Sequence, residues 1–405
     1  MKKLIFIKLL SKYKRSLWLL CFLLNLNLAN AQKTGAEQTG NYLPLLKNKK
    51  VALVVNQTSM LGNVHLVDFL KSKKVNIQFI FAPEHGFRGD HAAGENVQSA
   101  LDAKTKLPVY SLYGPNKKPK AAQLAKVDIV IFDIQDVGAR FYTYISTLHY
   151  VMESCAEQQK LLIILDRPNP NGFYIDGPVL DTAFKSFVGM HPVPVVHGCT
   201  IGEYAQMING EGWLKNRIKC RLKIVKVQDY YHQKRYVLPV KPSPNLPNMS
   251  SILLYPSLCF FEGTSYSLGR GTNTPFECVG KPECTLGNYT FTPVSIPGIA
   301  DKPPYEGQLC KGFLLSDYGN NIAPFQNKIN LFWLLEFYKN DINKSTFFTP
   351  FFDKLAGTGQ LRLQIIQGKT EEEIRKSWQP ALEQYRKMRL KYILYTDVRE
   401  MSDEK

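Results

Sequence analysis

The segment Val127-Asp-Ile-Val-Ile-Phe132, followed at once by Asp133-Ile-Gln-Asp-Val-Gly-Ala-Arg140, decides the fold class. Its first half is mostly apolar and β-branched, which is the pattern of a strand buried on both faces of a parallel sheet. Its second half is polar and contains a glycine, as is typical of the loop that leaves such a strand. A buried strand that ends in charged side chains predicts a ligand site at the edge of the sheet.

The same strand pattern recurs on both sides of this segment. Further strands are predicted at 51–55, 75–81, 109–112, 161–165 and 222–227, and helices at 65–70, 119–126 and 141–157. Strands that alternate with helices in this way predict an α/β fold, here a Rossmann-like, doubly wound parallel sheet.

The pattern of alternating strands and helices ends in a proline-rich segment. Residues 238–247 contain four prolines, which exclude a helix or a central strand there. We therefore predict a Rossmann-like catalytic domain over residues 40–240 and a smaller α+β domain over 241–405 that completes the cleft. Helices are predicted in the second domain at 332–339 and 371–387, the latter with a break or kink at Pro380.

Residues 1–31 have the features of a secretory signal peptide. A basic leader precedes a short apolar run at 17–28, which ends in the small-x-small sequence Ala29-Asn30-Ala31. We expect cleavage after Ala31 and an exported product, periplasmic or secreted, with no stable membrane insertion after cleavage. An uncleaved membrane anchor is the alternative, although the run is short for a membrane span.

The composition excludes some classes of partner and leaves others open. The formal net charge is +17, of which the leader contributes six positive charges, so the mature chain stays basic. The lysines are scattered and no nucleic-acid-binding motif is present, so no nucleic-acid partner is predicted. The charge fits either a solvated basic surface or attraction to an anionic polymer outside the membrane.

Sequence motifs for metals, nucleotide cofactors and esterase chemistry are absent. There is no CxxC, HExxH, P-loop or GxSxG motif, and no GxGxxG follows the first strand, so neither a metal nor a cofactor is predicted. Seven cysteines follow the leader, an odd number that rules out complete pairing within the chain. Cys155 is predicted to be a buried thiol, whereas Cys278 and Cys284 are either a small disulfide or two free thiols.

Polar segments follow four predicted strands, at 56–59, 83–89, 133–140 and 166–172. Because the carboxyl ends of parallel strands share one edge of the sheet, we expect these residues to surround a common cavity. Glu84 is the candidate catalytic acid, since poor solvation at a tight turn would keep its carboxyl protonated near neutral pH. An ion pair with Arg88 is the alternative. His85 is expected to move protons or to hold Glu84 in place. A purely structural role for His85 is the alternative.

Asp133 and Asp136 are candidates for a second catalytic carboxylate, with pairing to Arg140 or helix capping as alternatives. Arg270 is expected to meet a substrate carboxylate through a two-pronged contact, unless it lies in a surface turn. The other residues predicted to contact substrate are Arg88, Gln135, Arg140, Asp166, Arg167, Asn169, His197, Glu262 and Thr272. An internal Asp166–Arg167 ion pair and a turn role for Asn169 are equally open. Glu203 is assigned instead to a capping box with Thr200.

Several ordered blocks resemble one known family. They are residues 81–89 around Glu84-His85-Gly86, residues 133–144, residues 165–170 with Gly177-Pro178, and residues 261–264 with 269–272. Over nearly the whole mature chain, this set resembles the exo-lytic β-N-acetylmuramidase family of NamZ type. The resemblance implies a glycoside hydrolase that acts on peptidoglycan-derived muropeptides or disaccharides. It also implies release of N-acetylmuramic acid from the non-reducing end, by cleavage of its β-1,4 bond to N-acetylglucosamine.

The family's glutamate in the Glu-His-Gly block falls on Glu84, which would protonate the leaving oxygen. The second group is left open among Asp133, Asp136 and the substrate's own 2-acetamido oxygen, so inversion and retention both remain possible. The lactyl carboxylate of muramic acid needs a cation, for which the candidates are Arg270, Arg140 and Arg88, in that order. Two rival functions are an exported esterase or amidase acting on cell-wall material and a non-catalytic wall-binding protein.

Overall fold

The structure, a computed structural model, describes residues 32–87 and 100–397. The first part of the chain supplies the strands β1 (Lys50–Val55), β2 (Met60–Leu61), β3 (Val64–His65), β4 (Asn76–Ala82), β5 (Ala100–Leu101), β6 (Pro108–Ser111), β7 (Ile129–Asp133), β8 (Leu161–Leu165) and β9 (Arg221–Val225). Seven of these form one sheet in the order β5-β6-β4-β1-β7-β8-β9, while β2 and β3 pair as a separate short hairpin.

The strand order of the large sheet is that of a Rossmann fold. Strands β6, β4, β1, β7, β8 and β9 are parallel, and β5 adds an antiparallel edge. Counted along the chain, the six parallel strands lie in the order third, second, first, fourth, fifth, sixth, which places the change of direction between β1 and β7. The predicted Rossmann-like α/β fold is confirmed.

Helices cover both faces of this sheet. They are α1 (Leu43–Leu46), α2 (Leu66–Ser72), α3 (Ala121–Leu124), α4 (Tyr144–Glu157) and α5 (Ile201–Gly210). Within β1, Ala52 and Val54 join the core under α4 and α5, whereas Leu53 and Val55 join the core under α1 and α2. Burial on both faces explains why the strands are continuous apolar runs rather than alternating ones.

The second part of the chain combines a small antiparallel sheet with helices, as the predicted α+β domain required. Its sheet consists of β10 (Cys278–Lys281), β11 (Tyr289–Phe291) and β12 (Cys310–Leu314). Its helices are α6 (Met249–Leu258), α7 (Ser316–Asn321), α8 (Phe332–Asn340), α9 (Phe352–Ala356), α10 (Gln360–Ile366) and α11 (Glu371–Leu390). One apolar core runs through both parts of the chain and includes Phe132 and Phe260. The predicted boundary at 240/241 lies between the two sheets and stays a prediction.

Helix α11 continues through Pro380, so the predicted break there is wrong, whereas the alternative kink stays a prediction. Pro380 is exposed, and buried side chains anchor the helix on both sides of it, among them Trp378 and Leu382. Tertiary packing of this apolar stripe outweighs the hydrogen bond that a proline cannot donate.

The seven cysteines within the described ranges are all buried free thiols. This confirms the buried thiol predicted at Cys155 and shows that Cys278 and Cys284 are not joined. The predicted signal peptide, residues 1–31, lies outside the described residues. Within 32–87 and 100–397, no helix combines the length and the apolar character needed to cross a bilayer.

Candidate active site

A cavity of about 790 Å³ lies beyond the carboxyl ends of β4, β6 and β7. The first part of the chain lines it with Glu84 after β4, Tyr113 after β6 and Thr143 before α4. Residues of the second part, including Glu262 and Arg270, line it as well. Its remaining walls are largely aromatic, formed by Phe141, Tyr142, Tyr144, Phe187, Tyr255, Phe276 and Phe351.

Glu84 is a half-buried carboxylate with hydroxyl groups on two sides. The Thr143 hydroxyl donates a hydrogen bond of 2.6 Å to Glu84 Oε2. Tyr113 also hydrogen-bonds Glu84, and burial together with the nearby Glu84 charge raises the pKa of Tyr113. Hydrogen bonds to an ionised group are short and strong, so both hydroxyls hold the carboxylate in one orientation.

His85 is buried beside Glu84 and lines the same cavity. Its backbone has a φ of 70°, in the left-handed region that residues with a Cβ atom seldom adopt. Such conformations persist only where the surrounding structure holds them, and they are frequent at active sites. The structure thus brings the predicted residues Glu84, His85, Glu262 and Arg270 together at one cavity.

Asp133 does not reach this cavity. It is fully buried, and its two carboxylate oxygens accept hydrogen bonds of 2.6 Å and 2.9 Å from Arg167. Arg167 also donates to the carbonyl of Met60. The expectation that Asp133 shares a cavity with Glu84 is wrong. The Asp133 side chain is paired with Arg167, and neither residue lines the cavity.

Asp136, His197 and Gln135 are also buried and lie outside the cavity lining. Asp136 Oδ2 accepts a hydrogen bond from the Gly138 amide, and burial raises the pKa of this carboxyl to about 7. His197 Nε2 lies 3.9 Å from Asp136 Oδ2, and burial lowers the pKa of His197 to about 3. Gln135 donates to the carbonyl of Pro168. Their assigned roles in catalysis and binding stay predictions that this placement does not support.

Asp166 organises the start of α5 rather than the cavity. It accepts hydrogen bonds from the Gly202 amide at 2.8 Å, the Thr200 hydroxyl at 2.7 Å and the Tyr395 hydroxyl at 2.6 Å. Its side chain makes no ion pair with Arg167, which pairs with Asp133 instead. The expected placement of Asp166 at the cavity is wrong, whereas the predicted Thr200–Glu203 capping box is confirmed.

Asn169 connects the loops that follow β7 and β8. Its amide donates to the carbonyl of Cys199, and its Oδ1 accepts from the Asn171 amide, as the alternative turn role required. A Cβ atom on Gly138, whose φ is +79°, would lie only 2.1 Å from Asn169 Oδ1. Only glycine allows this approach, so the loops that follow β7 and β8 pack against each other, and the cavity lies to one side of them.

Arg140 is a structural residue, which corrects its assignment to the substrate. It is fully buried and donates to four backbone carbonyls at 2.7–2.9 Å, those of Pro178, Val193, Leu355 and Ala356. Two of these carbonyls end helix α9, where a positive charge is favourable. Arg140 therefore joins the two parts of the chain.

Arg270 lines the cavity but already faces a carboxylate. Its guanidinium lies 2.7 Å and 2.6 Å from Glu262 Oε1, and over the ring of Phe276. Thr272 donates to the carbonyl of Gly269 and is not among the lining residues. Arg88 lies outside the described residues.

Among the lining residues that were not predicted from the sequence are Tyr113, Lys117, Thr143 and Asn245. Tyr113 follows a strand end, so the rule applied to the other strands would have found it. Thr143 lies inside a block that carried the family resemblance. Asn245 belongs to the proline-rich segment, which the sequence analysis interpreted only as a boundary.

The proline-rich segment is held against the first part of the chain by its carbonyl groups. Tyr142 and Gln57 both donate to the carbonyl of Pro242. Asn245 is buried and donates to the carbonyl of Ile299, while its Oδ1 has no hydrogen-bond partner among the described residues. The segment is thus a wall of the site.

Two family models together match most of the chain. The N-terminal model of exo-beta-N-acetylmuramidase NamZ matches residues 51–250, and the C-terminal model matches residues 253–395. The peptidoglycan beta-N-acetylmuramidase NamZ of Bacillus subtilis (strain 168) is 39% identical, over 88% of this chain and 89% of that protein.

Two solved structures of DUF1343 family proteins from Bacteroides fragilis NCTC 9343 are similar to this chain. The first has a TM-score of 0.85 and 47% identity, and the match covers 91% of this chain and 100% of that one. The second has a TM-score of 0.75 and 28% identity, with 90% and 99% covered. From the two family models and the identity to the Bacillus protein, this chain belongs to the exo-β-N-acetylmuramidase NamZ family.

Proposed function

We propose that this protein is an exo-acting glycoside hydrolase that releases N-acetylmuramic acid from the non-reducing end of peptidoglycan fragments. The observation that carries the proposal is Glu84, a half-buried carboxylate held by Thr143 and Tyr113 in a largely aromatic cavity. Family membership and the named activity of the Bacillus relative support it.

Glu84 acts as the general acid in this proposal. It donates a proton to the glycosidic oxygen at C4 of the N-acetylglucosamine, and the bond between that oxygen and C1 of the muramic sugar breaks. Positive charge then develops at C1 and the ring oxygen of the muramic sugar. The hydroxyls of Thr143 and Tyr113 stabilise the carboxylate that remains on Glu84. Water then forms the new bond to C1, and the proton that it loses returns to Glu84.

A second group must stabilise the positive charge at C1 on the face of the sugar opposite the leaving oxygen, and the positions of the candidate residues bear on its identity. Asp133 is paired with Arg167, and Asp136 is buried outside the lining, so neither is placed to reach C1. Of the three groups considered from the sequence, the substrate's 2-acetamido oxygen, which arrives with the sugar, is the one that remains. Glu262 and Asp301 are the other carboxylates that line the cavity.

The two rival functions gain no support from the site. An esterase or amidase would need a nucleophile oriented for attack on an acyl group, and the relative from Bacillus subtilis is named as a muramidase instead. A non-catalytic wall-binding protein would have no use for a carboxylate oriented by two hydroxyls in a cavity.

The direct test is incubation with a defined disaccharide, N-acetylmuramic acid β-1,4-linked to N-acetylglucosamine, followed by mass analysis. We expect both free sugars from the wild type and none from Glu84→Gln, which keeps its fold by circular dichroism. A chromogenic acetate ester serves as the rival substrate. Cleavage of the ester but not of the disaccharide would replace this proposal with the esterase.

We also propose that the protein is exported, with residues 1–31 removed as a signal peptide. The basic leader, the short apolar run and the Ala29-Asn30-Ala31 sequence support this. Amino-terminal sequencing of protein secreted by a bacterial host should find Gln32 as the first residue. Retention of the leader in a membrane fraction would favour the uncleaved anchor.

A further inference from the structure

Lys117 is a cation of the cavity wall without an acidic partner among the residues that the structure describes. It is half-buried, and its Nζ lies 4.6 Å from the centroid of the Phe187 ring. In the described part of the chain, no carboxylate lies within ion-pair distance of it. Its neighbour Lys118 differs, because it pairs with Glu153 at 2.7 Å and Glu157 at 2.8 Å and is not part of the lining.

The other cations near the cavity either have partners within the protein or are exposed to solvent. Arg270 is neutralised by Glu262, and Arg140 is enclosed by backbone carbonyls. Lys302 lines the cavity but is exposed, so water screens its charge. A partly desolvated ammonium without a counterion favours an anion that enters the cavity beside it.

Lys117 lies on the same wall as the proposed acid. Its partner ring, Phe187, has its centroid 6.0 Å from that of Tyr113, and Tyr113 hydrogen-bonds Glu84. Lys117 and Glu84 both line the cavity that would hold the sugar.

We propose that Lys117 binds the lactyl carboxylate of the muramic sugar and so makes the site selective for muramic acid over glucosamine. This inference rests on the proposed function. The lactyl group at O3 is what distinguishes the two sugars, and its carboxylate matches a compact ammonium with three donors. Lys117 thereby takes the place that was predicted for Arg270 and Arg140, whereas the candidate Arg88 lies outside the described residues.

The test compares three chromogenic substrates: a β-N-acetylmuramide, the same sugar with a neutral lactyl amide, and a β-N-acetylglucosaminide. We expect Lys117→Met to lower kcat/KM for the muramide by about 10- to 100-fold, the range for a charge-assisted hydrogen bond. Its rates on the two uncharged substrates should equal those of the wild type. Lys117→Arg should recover part of the loss, and the matched control Lys118→Met should change none of the rates.

Equal losses of Lys117→Met on all three substrates would overturn the proposal, as would a selective loss in Lys302→Met with Lys117→Met unaffected. Failure of the wild type to cleave any muramide would contradict the proposed function instead. In that case, calorimetric binding of N-acetylmuramic acid and N-acetylglucosamine to wild type and Lys117→Met decides the question for Lys117. Equal affinities of the two proteins for N-acetylmuramic acid would overturn the proposal.

Discussion

At the scale of single residues, the orientation of Glu84 depends on side chains that contribute hydroxyl groups, not charges. Thr143 stands at the end of the loop that follows β7, and Tyr113 stands just beyond β6. Both keep the carboxyl facing the space where a sugar would bind. Hydroxyl donors stabilise the carboxylate after proton transfer without the fixed charge of an arginine or lysine.

Replacement of Thr143 tests this arrangement. Thr143→Val removes the donor at nearly constant volume, and we expect kcat on the disaccharide to fall about 10- to 100-fold, the range for a hydrogen bond to a charged group. Thr143→Ser keeps the hydroxyl and should stay within a few-fold of the wild type. Steady-state kinetics measure both variants, and full activity in Thr143→Val would show that Glu84 does not need this donor.

The site was only partly predictable from sequence, for a definite physical reason. Asp133 ends an apolar strand and Glu84 lies two residues beyond one, yet Glu84 faces the cavity and Asp133 faces an arginine of the next loop. A strand end shows that a side chain lies at the correct edge of the sheet, but not which neighbour it meets. The position of Asn245 at the cavity could not be predicted from sequence, because it depends on hydrogen bonds to the Pro242 carbonyl from residues far away in the chain.

At the scale of elements, the strands were predictable to within a few residues because both faces of the sheet are buried. A continuous apolar run of this length then indicates a strand buried on both faces. Strand β8, for example, spans Leu161–Leu165, as predicted. The helices α9 and α11 depend on tertiary contacts instead. Arg140 donates hydrogen bonds to the last two carbonyls of α9. Buried apolar side chains on both sides of Pro380 stabilise α11 as one continuous helix.

Arg140→Leu is expected to destabilise the fold without changing substrate recognition. It leaves the carbonyls of Pro178, Leu355 and Ala356 without a donor, whereas that of Val193 keeps the Leu180 amide. Each lost donor is worth about 1–3 kcal/mol, so the free energy of unfolding should fall by at least about 3 kcal/mol. Urea denaturation measures the loss, and KM of the folded enzyme should not move. A raised KM with an unchanged free energy of unfolding would indicate that Arg140 contacts the substrate after all.

Pro380→Ala is expected to stabilise the protein. The proline is exposed in the middle of α11, and alanine restores a backbone hydrogen bond and a favourable helix residue. The free energy of unfolding should rise by about 1–3 kcal/mol. The exposed neighbour serves as a control, since Gln379→Ala should change it by less than about 0.5 kcal/mol. A loss of stability in Pro380→Ala would mean that α11 needs a bend at this point.

At the scale of the whole molecule, one core joins the two parts of the chain, and buried ionisable groups lie within it. Burial raises the pKa of Asp136 to about 7 and lowers that of His197 to about 3. Both groups favour the neutral form in the folded chain, so they change stability with pH in opposite directions. The histidine makes the fold weaker as pH falls below about 6.5, its ordinary pKa.

Asp136 makes the opposite contribution. Between its ordinary pKa of 3.8 and its folded value of about 7, the folded chain keeps a proton that the unfolded chain has lost. The free energy of unfolding therefore falls as pH rises through this window, by up to about 4 kcal/mol at 1.36 kcal/mol per pKa unit.

Asp136→Asn should remove this fall, because asparagine keeps an acceptor for the Gly138 amide but does not ionise. Urea denaturation from pH 4 to 8 measures the effect as the difference between wild type and variant. The exposed control Glu372→Gln should follow the wild type at every pH. Parallel curves for wild type and Asp136→Asn would show that the carboxyl ionises as readily in the folded chain as in the unfolded one.

We propose that the cavity around Glu84 holds the muramic sugar at the bond that breaks. A crystal structure of Glu84→Gln with the uncleaved disaccharide tests it most directly. We predict the glycosidic oxygen within about 3 Å of the side chain at position 84, the distance that proton donation requires. A disaccharide bound elsewhere, or one whose glycosidic oxygen faces away from that side chain, would contradict the claim.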